Sequence, residues 1–170
     1  MPVVPAFPIT PEPGQWDELT LLAATIFLEA EGEPPEGKVG VGWVIRHRMD
    51  SWRQTLHAAI LGPDGKAWGD GKAFEVFSCW NDDYQLRGAA RLAAAGGAEA
   101  EQAWRAAAGA LWRLIADPVG GATYYLNVGV TKKIRKGGTL PTWAADPQDA
   151  TKVDLSKVAA VIGRHTFIRA

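Results

Sequence analysis

Apolar residues recur at helical spacing in the first third of the chain. Leu19, Leu22, Ala23, Ile26 and Phe27 share one face over residues 17 to 29, which predicts a helix with Asp17 as its N-cap. The capping-box position holds Thr20 and not a glutamate. Glu33 precedes a proline and is pushed out of helical torsions, so this helix ends before it. A second helix is expected over 36 to 50, with Val41, Val44 and Ile45 on its apolar face. Gly40 and Gly42 lower its propensity but permit close packing. A short third helix is expected from Ser51, as cap, to Ile60, and "GPDGKAWGDGK" reads as a loop. The alanine-rich stretch 98 to 116 predicts an amphipathic helix stopped by Asp117-Pro118. "GGATYYLNV" reads as a short strand, and 131 to 150 as a long loop. The last sixteen residues are expected to begin as a helix and finish as a strand across Gly163. The fold class is therefore mainly α (α+β), one domain over 17 to 170 with long loops and a small extended segment. Residues 1 to 16 form a proline-rich extended arm, expected to order only against something that binds it.

Composition narrows the function classes. The 170 residues are 47% hydrophobic and 22% charged, which marks an ordinary globular chain. A formal net charge of -1 argues against a nucleic-acid binder relying on phosphate neutralisation and against adhesion to a membrane surface. No apolar run is long enough to cross a membrane. Cys79 is the single cysteine, so the fold needs no disulfide. The N-terminal sequence has no charged n-region and its prolines break any apolar core, so no secretory signal is read there. Of the eight tryptophans, Trp43, Trp104 and Trp112 lie in helical patterns and are expected in the core. Trp68, Trp80 and Trp143 lie beside turn residues and are candidates for a ligand-binding face.

Few chemistries remain open. The three histidines, His47, His57 and His165, make no HExxH pair, Cys79 has no CxxC partner, and neither a nucleophile elbow nor a phosphate loop is present. No metal or cofactor is expected. Cys79 and His165 could form a thiol nucleophile pair, against the simpler reading of a buried structural cysteine. Carboxylates are left. Glu29 follows Ile26, Phe27 and Leu28 at the end of a core helix, where partial burial can keep a carboxyl protonated for acid catalysis. The other reading is a boundary glutamate at a helix C-terminus, a place where the helix dipole prefers a cation.

"TIFLEAEGEPPEGKVGVGWVIRHRM" resembles the opening motif of the SleB/CwlJ-type cell-wall hydrolases, I-Y-G-E-A-R-G-E-P followed by G-x-V-A-V-A-x-V and N-R. "FSCW", "DPVGGATYYLN" and "IGRHTF" fit three later segments of that family in order, so the resemblance spans about residues 19 to 168. It implies a lysozyme-like helical fold and cleavage of the MurNAc-GlcNAc glycan strand of peptidoglycan. It puts the essential acid on Glu29 and a supporting groove residue on Glu33, with further substrate contacts at Ser78, Trp80, Tyr124, Asn127 and His165. The chain departs from the pattern at Leu28, Glu31 and His47, where the family has glycine, arginine and asparagine. Ordinary murein is therefore as fitting a substrate as spore cortex.

The resemblance points to a single-acid lytic transglycosylase giving 1,6-anhydro products. A muramidase-type hydrolase and a non-catalytic wall-binding or virion module remain alternatives, with an amidase third. A monomer is expected. A wall enzyme without a leader would wait in the host cytoplasm for phage-mediated release.

Overall fold

The computed structural model describes residues 5–8, 13–62, 77–80 and 82–170, with the backbone alone for Ser78 and for 82–86. The long loop that carries Trp68 falls outside the described residues. Among the described residues the architecture is mainly helical, with six α-helices and a three-stranded antiparallel sheet.

Helix α1 (Glu18–Glu29) is the central element. Every residue from Thr20 to Leu28 is buried, so the helix is enclosed on all sides and not merely on one face. Asp17 caps it by accepting the Thr20 N–H at 2.9 Å and the Thr20 hydroxyl at 2.6 Å. Around it pack α2 (Pro35–Trp52), α3 (Leu56–Leu61), α4 (Asp82–Ala93) and α5 (Gly97–Leu111). Proline at the first position opens α2, where its missing N–H costs nothing.

The two glycines of α2 fix how closely its neighbours approach. A Cβ on Gly40 would lie 2.7 Å from Phe167 Cζ, and one on Gly42 would lie 2.9 Å from Ala110 Cβ. Strand β3 (His165–Ile168) therefore presses on one side of α2 and helix α5 on another.

The sheet runs in the order β1 (Tyr124–Leu126), β3 (His165–Ile168), β2 (Val158–Ile162). Tyr125 pairs with Phe167, and Ile162 pairs with His165 across the β2–β3 turn. Gly163, at φ +57, makes that turn. One core cluster extends from Phe7 to Phe167, and a smaller one gathers Leu126, Leu140, Ala144, Ala145 and Ile168 under the C-terminal loops.

Several boundaries differ from the sequence reading. Helix α2 runs through Ser51 to Trp52 and stops at left-handed Arg53, so the cap of α3 is Thr55 and not Ser51. Helix α5 ends at Leu111, ahead of Asp117-Pro118. Arg113 adopts φ +55, and the N–H groups of Leu114 and Ile115 turn back to the Gly109 carbonyl. That turn leaves Trp112 57% exposed, where core burial was expected. The presumed loop after 131 begins as helix α6 (Val128–Ile134). The C-terminal segment is a hairpin preceded by one 3₁₀ turn (Leu155–Lys157), because its β-branched and small residues pair better than they coil. Phe7 of the N-terminal arm is buried between Phe27 and Trp104, with ring centroids at 5.5 and 5.2 Å, so this part of the arm binds the protein's own body.

Gly40→Ala gains about 1 kcal/mol of helix propensity but forces Phe167 and Val119 apart, which typically costs about 1–3 kcal/mol. Urea unfolding is expected to show a net loss of stability; a net gain would contradict the close approach of β3 to α2.

Candidate active site

Glu29 is the last residue of α1 and is only partly exposed. A carboxylate there faces the negative end of the helix dipole. Two donors from distant segments offset this. The Cys79 N–H donates to Oε1 at 2.9 Å, and the Tyr125 hydroxyl donates to Oε2 at 2.7 Å. Each oxygen thus has a fixed partner, and hydrogen bonds to a charged acceptor are the stronger kind.

The donors are themselves held in place. Cys79 lies in the 3₁₀ turn Ser78–Trp80. The Trp80 indole N–H donates to Thr25 Oγ1 at 3.0 Å, and the Thr25 hydroxyl donates to the Leu21 carbonyl. Thr25 is one helical turn before Glu29, so α1 grips the same turn at two points on one face. Trp80 is 4% exposed. It has no face open to a sugar, which corrects its assignment as a groove aromatic: its role is to fasten the turn that presents the Cys79 N–H.

Tyr125 comes from β1, and strand alternation decides its direction. Its ring meets Phe77, His165 and Phe167, with centroids 6.1, 4.8 and 5.9 Å away. Its neighbour Tyr124, the residue singled out from sequence, turns to the opposite face. There it stacks on Trp143 at 4.6 Å, with the Arg48 guanidinium 5.0 Å from its ring centre. Tyr124 therefore does not meet Glu29. Its half-buried stack with Trp143 is a second aromatic surface. Burial, then the charge and hydrogen bond of Glu29, push the Tyr125 phenol well above its ordinary value, so it stays a donor. The same causes push the Cys79 thiol up, with burial first. A thiol held protonated is no nucleophile, which removes the Cys79–His165 pair as a catalytic reading.

Arg48, missed from sequence, is buried beside the site. Its Nε donates to the Thr123 carbonyl at 2.7 Å, and its guanidinium lies 4.6 Å from the Phe77 ring centre. It links α2 to both segments that supply donors to Glu29.

Glu33 is buried, but its carboxylate is not free for substrate. Oε2 accepts the Arg164 N–H at 2.9 Å and Oε1 accepts the Arg164 Nε–H at 2.6 Å. The Lys38 ammonium, fully buried, donates to the Glu33 carbonyl and pairs with Glu99. A Cβ on Gly163 would run into the Glu33 carboxylate, so the hairpin needs glycine for space as well as for φ. Glu33 is thus a staple between the α1–α2 turn and the β2–β3 hairpin, in place of the groove-wall contact expected.

The other sequence candidates divide. His165 is 6% exposed, next to Tyr125, and its Nδ1 has no hydrogen-bond partner among the described residues. Asn127 caps α6 through Oδ1, which accepts the Val130 N–H at 3.1 Å. Ser78 opens the 3₁₀ turn, and its side chain lies outside the described residues. In the DPVGG segment Asp117 takes the N–H groups of Val119, Gly120 and Gly121, and His47 bridges Asp117 and the Ala122 carbonyl. Among the described residues no three His, Cys, Asp or Glu side chains gather as a metal-binding group.

Acid sensitivity follows from two of these groups. Burial would raise the Glu33 carboxyl, but the Arg164 hydrogen bonds and the His165 and Arg164 charges outweigh it and hold Glu33 below its ordinary 4.5. Burial holds His165 below 6.5, against the pull of the Glu33 and Glu29 charges. In both cases the unfolded chain takes up its proton first on acidification, so stability falls as pH falls. The His165 contribution is complete above 6.5 and is lost as pH drops from there through its lower folded value. The Glu33 contribution is lost from 4.5 downward in the same way. Melting temperature against pH is expected to decline in these two windows, and Glu33→Gln is expected to flatten the lower one. A variant whose acid limb matches the parent's would contradict the staple.

A family described as Cell Wall Hydrolase matches residues 32–168. No curated protein matches the chain, and no solved structure does. The matched stretch holds both donors to Glu29, the Glu33–Arg164 staple and His165, and it begins just after Glu29 itself. Since it covers well over half of the sequence, this chain belongs to the cell wall hydrolase family, of the SleB/CwlJ type.

Proposed function

We propose that this chain cleaves the MurNAc-GlcNAc strand of peptidoglycan as a lytic transglycosylase, with Glu29 as its one acid and base. The observation that carries the reading is the Glu29 carboxylate, partly exposed and oriented by the Tyr125 hydroxyl and the Cys79 N–H. A carboxyl fixed through both oxygens is preorganised for proton transfer, and no side-chain search is needed at the moment of reaction.

The steps balance with one carboxyl. Protonated Glu29 gives its proton to the bridging glycosidic oxygen, and the C1–O bond breaks. The sugar's own C6 hydroxyl attacks C1, and its proton passes to the Glu29 carboxylate, which regenerates the acid. The product carries a 1,6-anhydro ring and no water is consumed. Tyr125 and the Cys79 N–H hold the carboxylate between the two transfers. The Tyr124–Trp143 stack is the proposed sugar contact.

The environment of the neighbouring acids favours this route over hydrolysis. A hydrolase places a second carboxyl about 5–9.5 Å across the bond. Glu33 is committed to Arg164, and Glu31, exposed, pairs with Arg91 at 2.6 Å. Asp117 and Asp146 spend their oxygens on backbone N–H groups of their own loops.

Two outcomes are expected. Glu29→Gln retains its unfolding transition but clears wall suspensions at least about 100-fold more slowly, the lower end for loss of a general acid. Mass spectrometry of parent digests shows muropeptides lighter by one water than hydrolysed ones and resistant to borohydride. Reducible products of full mass would replace the transglycosylase by a muramidase. A Glu29→Gln variant with near-parental rate would remove Glu29 as the acid, and released peptides with intact glycan would point to an amidase.

A further inference from the structure

Between Asp117 and Asp146 the chain has no acidic residue, yet Lys132, Lys133, Arg135 and Lys136 fall within five positions. The chain as a whole carries -1, so this is a local excess. The cluster occupies the end of α6 and the 3₁₀ turn Lys136–Gly138 after it.

Helix α6 is unusual in what it leaves uncovered. None of its seven residues is buried. So short a helix does not persist on propensity, and in a folded protein an apolar face normally holds it. Here Val130 and Ile134, one turn apart on one face, are 52% and 77% exposed. The helix is held at its start, by the Asn127 cap and by Val128, which packs against the smaller core cluster. Lys132, Lys133 and Lys136 are exposed and enter no ion pair among the described residues. Extended Arg135 separates Lys136 from the helix that carries Lys132 and Lys133, and three like charges within five positions repel one another. An exposed apolar pair and unrelieved like charges are both costs. A bound partner carrying carboxylates and small apolar groups would relieve both.

Position selects the partner. Strand β1 leads through Asn127 directly into α6, and Tyr125 in that strand holds Glu29. From strand and helix rise, the lysines lie on the order of 10–20 Å from Glu29. Groups pendant on a glycan strand lying over Glu29 reach that distance. Two apolar side chains on a two-turn helix make too small a face for lodging in a lipid headgroup layer.

We propose that Lys132, Lys133 and Lys136, with Val130 and Ile134, dock the carboxylate-bearing, alanine-containing stem peptides of the glycan strand being cut. This rests on the glycan-strand reading above. It makes the enzyme select strands that still carry their stems.

The test compares the full chain with Lys132→Gln/Lys133→Gln/Lys136→Gln on two substrates: purified walls, and glycan strands stripped of stems by an amidase. The triple variant is expected to raise KM on stem-bearing walls roughly 5- to 50-fold, the combined scale of three surface ion pairs. Its kcat is expected to hold, and its KM on stripped strands to match the parent's. The parent's preference for stem-bearing walls is expected to fade with added salt. Equal loss on both substrates, or no loss on either, overturns the proposal. In a second arm, Glu29→Gln protein with and without the lysine changes is sedimented with intact walls, stripped strands and phosphatidylglycerol vesicles. Lysine-dependent binding to walls and not to stripped strands supports stem docking even if the parent cleaves no glycan, a result that would sink only the glycan-cleaving reading. Lysine-dependent binding to vesicles and not to walls overturns it in favour of a membrane surface.

Discussion

The carboxylate of Glu29 sits where α1 would rather end in a cation, and much of the site exists to hold it there. The two donors come from segments 50 and 96 residues away in sequence. Neither reaches Glu29 unless α1 is enclosed by the other helices and the sheet is docked against α2. The full burial of α1 and the glycine contacts of α2 are therefore conditions on the geometry around Glu29 as well as on stability. A longer approach between α2 and β3 would move the hairpin that pairs with β1, and with it the Tyr125 hydroxyl.

The second buried carboxylate serves the same end differently. The Glu33 carboxylate is taken up by Arg164 and joins the turn after Glu29 to the hairpin that pairs with β1. Two glutamates four residues apart are thus separated in role by their partners. One is met by a hydroxyl and a backbone amide. The other has an arginine and is held ionised. Removing Arg164 leaves the buried Glu33 carboxylate uncompensated, so both residues bear on the position of Glu29 without touching it.

Periodicity was enough to find α1, α2, α5 and β1, because each has a regular apolar pattern or a clear stop. It misjudged the ends of α2 and α5, where left-handed Arg53 and Arg113 close the helices with no glycine or proline to mark them. The C-terminal hairpin was hidden because "VAAVI" suits a helix or a strand until a partner strand is known. At the candidate site, the partly exposed place of Glu29 at the edge of the core was legible from the apolar run before it. Tyr125 was not: adjacent tyrosines point to opposite faces, and only the register with β3 says which one meets Glu29. Trp80 was misread for a related reason, since turn residues around it suggested exposure while its N–H is tied to Thr25 in the core. The Cys79 N–H is backbone, and no side-chain pattern reports it.

The account stands on the hydroxyl of Tyr125, and the pair Tyr124 and Tyr125 offers an internal control. Both differ from phenylalanine by one oxygen, and both rings keep their packing when it is removed. The deciding measurement is kcat on purified walls for Tyr125→Phe and Tyr124→Phe side by side. Loss of one hydrogen bond to a charged group predicts a kcat about 10- to 100-fold lower for Tyr125→Phe, with Tyr124→Phe close to the parent. Equal effects, or a larger loss from Tyr124→Phe, would contradict the proposal that Tyr125 holds Glu29 for catalysis.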